Sequence, residues 1–310
     1  MSLARPSQTN APLSGKSPSV VVPQSQNTEE HVLKTLTLGD GDSDQGVRLP
    51  AVGSIRKLII KVDTSGVSFT AGTTPALVTR AGDLWLKTFT LTISDNLGKR
   101  EVISGTYCLM AHRQVRRTKK NASSVYGEFI FEFPVKHGLN SMLPAGISKE
   151  FTMDYTVGSI SELATGSPTA IDGIVVTITA IRYQKVFIPN SAIIYKTRTV
   201  VISQTGDKEV EFSNAHLYTN VAFIQYNTSD ALADIVNKIV FENNGRTIAD
   251  LRPKPFRARM NDEVGSAPDS GILFLEPNSP VVSQEMIATL DVSNATDVEC
   301  LNYTEEVLMA

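Results

Sequence analysis

The sequence predicts an all-β protein built of two similar halves in tandem. Three observations carry this. The first is internal repetition. Residues from Trp85 through Leu91, Ile93, Asn96 and Gly98 to Lys99, and residues from Ile235 through Ile239, Phe241, Asn244 and Gly245 to Arg246, each alternate apolar and polar side chains. Each then runs into an Asn/Gly turn and leaves through a basic residue. With one extra residue, Leu97, in the first copy, Leu91 and Ile93 fall in phase with Ile239 and Phe241. A slip of one residue sends a whole strand's side chains to the other face, so the shared phase is a real constraint. The second observation is that neighbouring segments repeat in the same order. The third is a succession of short β-rich runs separated by turn signals, with no sustained helical period.

Taken in order, residues 1–30 are rich in Ser, Pro, Gln, Asn and Thr and read as a flexible arm, too polar to offset its own ordering entropy. The ordered body is expected to begin near His31, with Val32, Leu33, Leu36 and Leu38 opening the first strand. A polar turn from Gly39 to Gly46 leads to Val47-Arg48-Leu49, and its counterpart is Thr199–Ser203, a turn over Gln204–Lys208, then Glu209–Phe212. Ile55–Val62 matches Asn220–Tyr226, and the repeated strand-turn element follows each. Next come basic stretches, Cys108–Lys120 and Arg252–Arg259. Glu128–Pro134 then matches Gly271–Pro277, Glu150–Tyr155 matches Met286–Val292, and Ile174–Tyr183 matches Val298–Tyr303 with its tail. Residues Ser229–Asn237 read as one short turn or helix. About eight strands per half fits a jelly roll, which closes two sheets over one core and limits exposed edges. The expected division is an arm at 1–30, a first jelly-roll barrel at 31–188 and a second at 189–310, linked near residues 187–190.

Composition excludes several classes. Net charge is −3 with 20% charged and 41% apolar residues, so the chain as a whole is not a polycation directed at nucleic acid. The two cysteines, Cys108 and Cys300, fall in different halves and form neither a metal quartet nor a disulfide framework. No apolar run approaches the roughly 20 residues of a membrane span. The first residues lack the apolar core of a signal peptide, which predicts a protein made and kept in the cytosol. No metalloprotease, hydrolase-elbow, phosphate-loop or dinucleotide motif occurs, and the four histidines (His31, His112, His137, His216) are scattered, so no enzymatic activity is expected. No cofactor is expected beyond a structural calcium candidate. The acidic turn Asp40-x-Asp42-x-Asp44 has the spacing of the first ligands of a calcium loop, but Ala51 stands where the closing Glu belongs, and a solvated hairpin tip is the plainer reading. Trp85 is expected in the core or between the barrels.

The basic stretches are the strongest charge feature. The plainer reading is a pair of solvated loops. The sharper one is contact with an anionic surface, lipid headgroups or packaged nucleic acid, through Arg113, Arg116, Arg117, Lys119 and Lys120 together with Arg252, Lys254, Arg257 and Arg259. Equivalent loops on two barrels would emerge on related faces.

The paired strand-turn elements Leu86–Arg100 and Val236–Thr247, with their preceding strands, the polar arm and the lack of a catalytic signature, resemble the double-jelly-roll major capsid proteins of tailless icosahedral viruses of the adenovirus and tectivirus lineage. In size the chain is most similar to the coats of membrane-containing bacteriophages of the corticovirus and finnlakevirus type. The resemblance implies a virion coat of homotrimers, whose six barrels form pseudo-hexagonal capsomers. It also implies minor capsid and vertex proteins as partners, membrane lipids beneath the shell and no sequence-specific nucleic acid. The competing reading is a β-sandwich host-attachment or carbohydrate-binding spike or tail module; a glycoside hydrolase with dispersed carboxylates comes third. The arm reading predicts that deleting residues 1–29 spares folding of the barrels, read by circular dichroism, while impairing assembly of particles. A truncated chain that fails to fold would make the segment part of the barrel.

Overall fold

The computed structural model describes residues 28–120, 127–136, 139–227, 231–265, 269–276, 281–295 and 299–309. Sixteen principal strands follow one another. The first eight are β1 (Glu29–Leu38), β2 (Ser43–Arg48), β3 (Ser54–Asp63), β4 (Leu86–Asp95), β5 (Gly98–Gly105), β6 (Glu128–Glu132), β7 (Glu150–Val157) and β8 (Ile174–Tyr183). The second eight are β9 (Ser191–Val201), β10 (Gly206–Glu211), β11 (Leu217–Tyr226), β12 (Val236–Asn243), β13 (Arg246–Leu251), β14 (Ile272–Leu275), β15 (Ile287–Val292) and β16 (Glu299–Met309). Helix α1 (Cys108–Lys120) lies between β5 and β6, and helix α2 (Pro253–Val264) between β13 and β14.

The strand order shows the duplication. The first eight strands form sheets ordered β1-β8-β3-β6 and β2-β7-β4-β5; the second eight form β9-β16-β11-β14 and β10-β15-β12-β13. Adding eight to each number of the first barrel gives the second, and both are the jelly-roll order. The first barrel closes over Leu58, Ile60, Leu91, Ile93, Phe129 and Ile178; the second closes over Phe223, Ile239, Phe241 and Leu290. The phase read from the sequence holds, because Leu91, Ile93, Ile239 and Phe241 are all fully buried.

The two turn glycines lie at the tip of the same hairpin in each barrel, one position apart. Gly98 is the first residue of β5 and pairs with Asp95, whereas Gly245 is the second turn residue between the paired Asn243 and Arg246. Asn244 and Gly245 both have positive φ (51° and 67°), as a two-residue type I′ turn requires. The first hairpin is of the same length, with Asn96-Leu97 between the paired Asp95 and Gly98, and Gly98 (φ 90°) is left-handed just after it. Buried Arg100, the residue after the basic Lys99, grips Asp95 across this turn through two hydrogen bonds of 2.5 and 2.7 Å.

Three sequence expectations need correction. The basic stretches are helices, not loops. Their residues (Leu, Met, Ala, Arg, Gln and Lys in α1) are good helix formers, and α2 carries Pro253 in its first turn and Gly265 at its left-handed C-terminal position. By contrast, the described part of Ser229–Asn237 contains no helix, since β12 starts at Val236. The body also begins slightly early, with Glu29 already paired to Arg182.

The barrels share a sheet. β5 pairs in parallel with β9 through Ile103–Tyr195, Ser104–Lys196 and Gly105–Thr197, so the inner sheets of the two barrels join into one path of eight strands. Gly105 makes this approach possible. Its φ is +113°, and a Cβ there would lie 2.0 Å from the Thr197 carbonyl oxygen. Gly105→Ala is therefore expected to destabilise the chain by on the order of 3 kcal/mol. Gly98→Ala and Gly245→Ala, which meet open space, should each cost about 1 kcal/mol. Chemical denaturation of the three variants checks the ranking; a Gly105→Ala change as mild as the turn changes would mean the seam is not closed this tightly.

Candidate functional site: the junction of the two barrels

The most elaborate chemistry of the chain lies where α1 is clamped between the barrels. Every residue from Cys108 to Val115 is buried, including His112, Arg113 and Gln114. Buried polar groups need partners, and α1 finds them on both sides. His112 Nδ1 lies 2.6 Å from the Tyr303 hydroxyl on β16, while Nε2 lies 2.8 Å from the Ile130 carbonyl oxygen on β6. The imidazole stacks on Phe131 (4.0 Å between centroids) and meets Tyr195 of β9 edge-on at 5.0 Å. One ring therefore touches both barrels. Cys108 Sγ lies 3.7 Å from the Tyr195 carbonyl oxygen, and the Tyr226 hydroxyl lies 3.5 Å from Met110 Sδ. The Tyr195 hydroxyl donates to the Glu132 carbonyl oxygen at 2.6 Å, returning a contact from β9 to the first barrel.

An ion pair completes the clamp. Arg113 bonds the Asp83 carboxylate, which also accepts the Gly127 amide at 2.9 Å. Both side chains are at most 2% exposed. Burial pushes the Asp83 carboxyl up, against the pull of the Arg113 guanidinium and the Gly127 N–H. Burial likewise raises Tyr195 and Tyr303 well above the usual phenol range and holds both thiols, Cys108 and Cys300, up at about 12. Trp85 is fully buried.

The sequence-selected residues disperse. Arg113 cannot face an anionic layer, because it is buried against Asp83; that expectation is corrected. Arg116 is about one-fifth exposed and spends its donors on the Ile130 carbonyl oxygen and Glu132. Arg117 pairs with Asp269 at 3.3 Å, Arg252 with Asp250 at 3.3 Å, Arg257 with Asp234 at 2.7 Å and Arg259 with Glu263 at 3.8 Å. Lys254 is exposed. The side chains of Lys119 and Lys120 lie outside the described residues. The stretches also do not share a face, since α1 is enclosed and α2 lies on the outside of the second barrel.

The calcium candidate is corrected as well. Asp40 accepts the Ile171 amide at 2.5 Å, Asp42 the Gly39 amide at 2.7 Å and Asp44 the Gln45 amide at 2.8 Å. The three carboxylates cap backbone N–H groups, and no cluster of three potential metal ligands occurs among the described residues. What sequence reading missed was the set His112, Tyr195, Tyr303 and Asp83. These residues are far apart in the chain, and no local spacing joins them.

With this geometry in place, the fold defines a class: a double jelly roll whose barrels share a sheet and enclose the first barrel's helix. No family model matches the chain, and no curated protein matches it by sequence. Solved structures do match. The MCP of STIV, the Sulfolobus turreted icosahedral virus, superposes with a TM-score of 0.65 at 14% identity, over 90% of this chain and 96% of that one. The major capsid protein P2 of bacteriophage PM2 gives 0.55 at 11% identity, over 91% and 97%. PBCV-1 Vp54, fitted into a reconstruction of the virophage Sputnik, gives 0.55 at 10% identity, over 93% and 95%. The fold is thus the one these capsid proteins have, with nearly all of each chain accounted for.

Removing one partner of the buried pair strands a charge. Asp83→Ala is expected to destabilise the chain by roughly 3–5 kcal/mol, while Arg117→Ala, in an exposed pair, should stay within about 0.5 kcal/mol. Thermal and urea unfolding of both variants measures the contrast.

Acid should act on Glu162, which accepts Lys87 Nζ at 2.8 Å, the Tyr107 hydroxyl at 2.6 Å and the Ser159 amide at 2.8 Å. Burial pushes its carboxyl up, but these bonds outweigh burial and hold it at about 2. A folded-state value below the unfolded one of about 4.3 means that its contribution is present above that range and fades as pH falls towards 2. Urea midpoints measured from pH 6 to pH 2 should fall less steeply for Glu162→Gln than for the unaltered chain.

Proposed function

We propose that this protein is a major capsid protein that assembles as pseudo-hexameric trimers into an icosahedral shell. The observation that carries the reading is the exact repeat of one eight-strand order in two barrels joined by a shared sheet. The coverage of nine-tenths or more of this chain and of the PM2 and STIV capsid proteins supports it. The junction chemistry fits a structural role. Its titratable groups are buried and partnered, with His112–Tyr303 and Tyr195–Glu132 joining the two barrels and Arg113–Asp83 anchoring α1 within the first. A carbohydrate-binding module would want an exposed aromatic platform, whereas the single tryptophan, Trp85, is fully buried. An internal lipid layer and minor capsid partners follow from the resemblance to coats of membrane-containing phages.

Native mass spectrometry of the full-length chain is expected to give a trimer, and electron microscopy hexagonal capsomers or closed particles, with lipid extractable from native virions. A chain that stays monomeric in every condition and binds glycans on an array would overturn the reading in favour of an attachment module.

A further inference from the structure

The two barrels match in strand order but not in what lines them. Along β8 the core-facing residues Ile174, Val176, Ile178 and Ala180 are apolar and buried. Along β16 the core-facing residues are Cys300, Asn302, Thr304 and Glu306, and the last three are polar yet at most 6% exposed. Pairing fixes the face: Asn302 lies opposite Phe223, whose ring meets Phe241 across the barrel. The neighbouring strand β9 continues the pattern, with Lys196 opposite Thr304 and Arg198 opposite Asn302. Burying polar and charged groups where the sister barrel buries alkyl groups is costly unless each group finds a partner.

These side chains line a cavity of about 200 Å³. It lies on the face of the shared sheet opposite α1, because Lys196 alternates along β9 with Tyr195, which meets His112. Its walls come from both barrels: Ser104 reaches it from β5, and Phe212 and Ser213 from the segment between β10 and β11. Glu306 is fully engaged. It pairs with Lys196 at 3.3 Å and His216 at 2.8 Å, and accepts the Thr304 hydroxyl at 3.0 Å. Arg198 is not. Its Nε donates to Asn302 Oδ1 at 3.0 Å and its Nη2 to the Glu211 carbonyl oxygen at 2.5 Å, both neutral acceptors. The guanidinium lies 5.3 Å from the centre of the Phe212 ring, and no ion pair joins it to a carboxylate among the described residues. Arg198 also reaches solvent, so the cavity can fill from outside. Two cations, Arg198 and Lys196, against the single carboxylate of Glu306 leave positive charge in excess.

We propose that this cavity binds a small tetrahedral oxyanion, phosphate or sulfate, held by Arg198 and Lys196 at the back of the seam between the barrels. Charge supports the ligand class, and so do the free donors. Arg198 Nη1 and the Ser104 hydroxyl have no hydrogen-bond partner among the described residues. Nη1 and the second hydrogen of Nη2 form a planar fork that matches two oxygens of such an anion. Size limits the choice. The cavity is smaller than the roughly 300–1,000 Å³ of sites for drug-sized ligands, which excludes a nucleotide or an oligosaccharide. Bound there, the anion touches Ser104 of the first barrel and Arg198 of the second, and ties the barrels together on the face that α1 does not reach. The inference goes beyond the capsid reading and does not depend on it.

Calorimetric titration of the full-length chain with inorganic phosphate, at an ionic strength held constant with chloride, tests the site. One saturable site per chain is expected, with Tm rising with phosphate by mass action and sulfate competing. Arg198→Gln should weaken binding about tenfold or more and remove most of the phosphate-dependent rise in Tm, with circular dichroism unchanged. Ser104→Ala should weaken binding about threefold or more, which places the anion at the seam. Arg259→Gln, on α2 and outside the cavity, should leave binding as it is. Should Arg198→Gln lower the yield of folded chain, Arg198→Lys keeps the charge and loses the fork, and an intermediate affinity is expected. A titration that does not saturate, or an effect of phosphate that Arg198→Gln and Arg259→Gln reduce alike, would overturn the inference and leave the cavity to water, with the capsid reading untouched.

Discussion

The close approach of β5 to β9 governs the architecture. Three residue pairs in parallel, admitted by a glycine whose Cβ would collide with a carbonyl, turn two barrels into one sheet path. Once that seam is closed, the helix after β5 has nowhere to go but between the barrels. Its polar residues must then be satisfied without water. The His112 contacts with Tyr303 and the Ile130 carbonyl, and the Arg113–Asp83 pair, are the consequence. A buried ion pair is not in itself a source of stability, since desolvation of both charges opposes their attraction. Its value here is selective: it fixes α1 against the Asp83 and Gly127 segments of the first barrel.

Much of the fold was legible in the sequence because β-alternation and turn chemistry are local. Asn244-Gly245 and Asn96-Leu97-Gly98 announce their hairpins from a few residues each, and the phase of Leu91 and Ile93 against Ile239 and Phe241 follows from period two alone. The helices were missed for a related reason. Cys108–Lys120 is rich in charge, and charge drew the eye away from Leu109, Met110, Ala111 and Val115, which mark the helix as enclosed. In the second half, Pro253 and Gly265 bracket α2 with ordinary start and stop signals that were there to be read. The junction itself was not legible. His112, Tyr195 and Tyr303 are separated by long stretches of chain, and only the shared sheet brings them together.

The fate of the basic residues shows why a charge run is weak information. A positive patch needs uncompensated charge, and nearly every described arginine of the two stretches has a carboxylate or carbonyl at hand. Asp234 and Asp269 sit in other segments, so their part of the compensation is invisible along the chain. The same holds for the acidic turn, where Asp40, Asp42 and Asp44 serve as caps for amides of the hairpin and its neighbour.

A continuous sheet has mechanical as well as thermodynamic meaning. Rotating one barrel against the other would shear the β5–β9 ladder and drag α1 through a close-packed interior, so the chain has no internal hinge at this seam. It behaves as one stiff tile. On the proposed capsid reading, the angular adjustment between five-fold and six-fold surroundings would fall on the joints between molecules, where side chains can slide without breaking backbone hydrogen bonds.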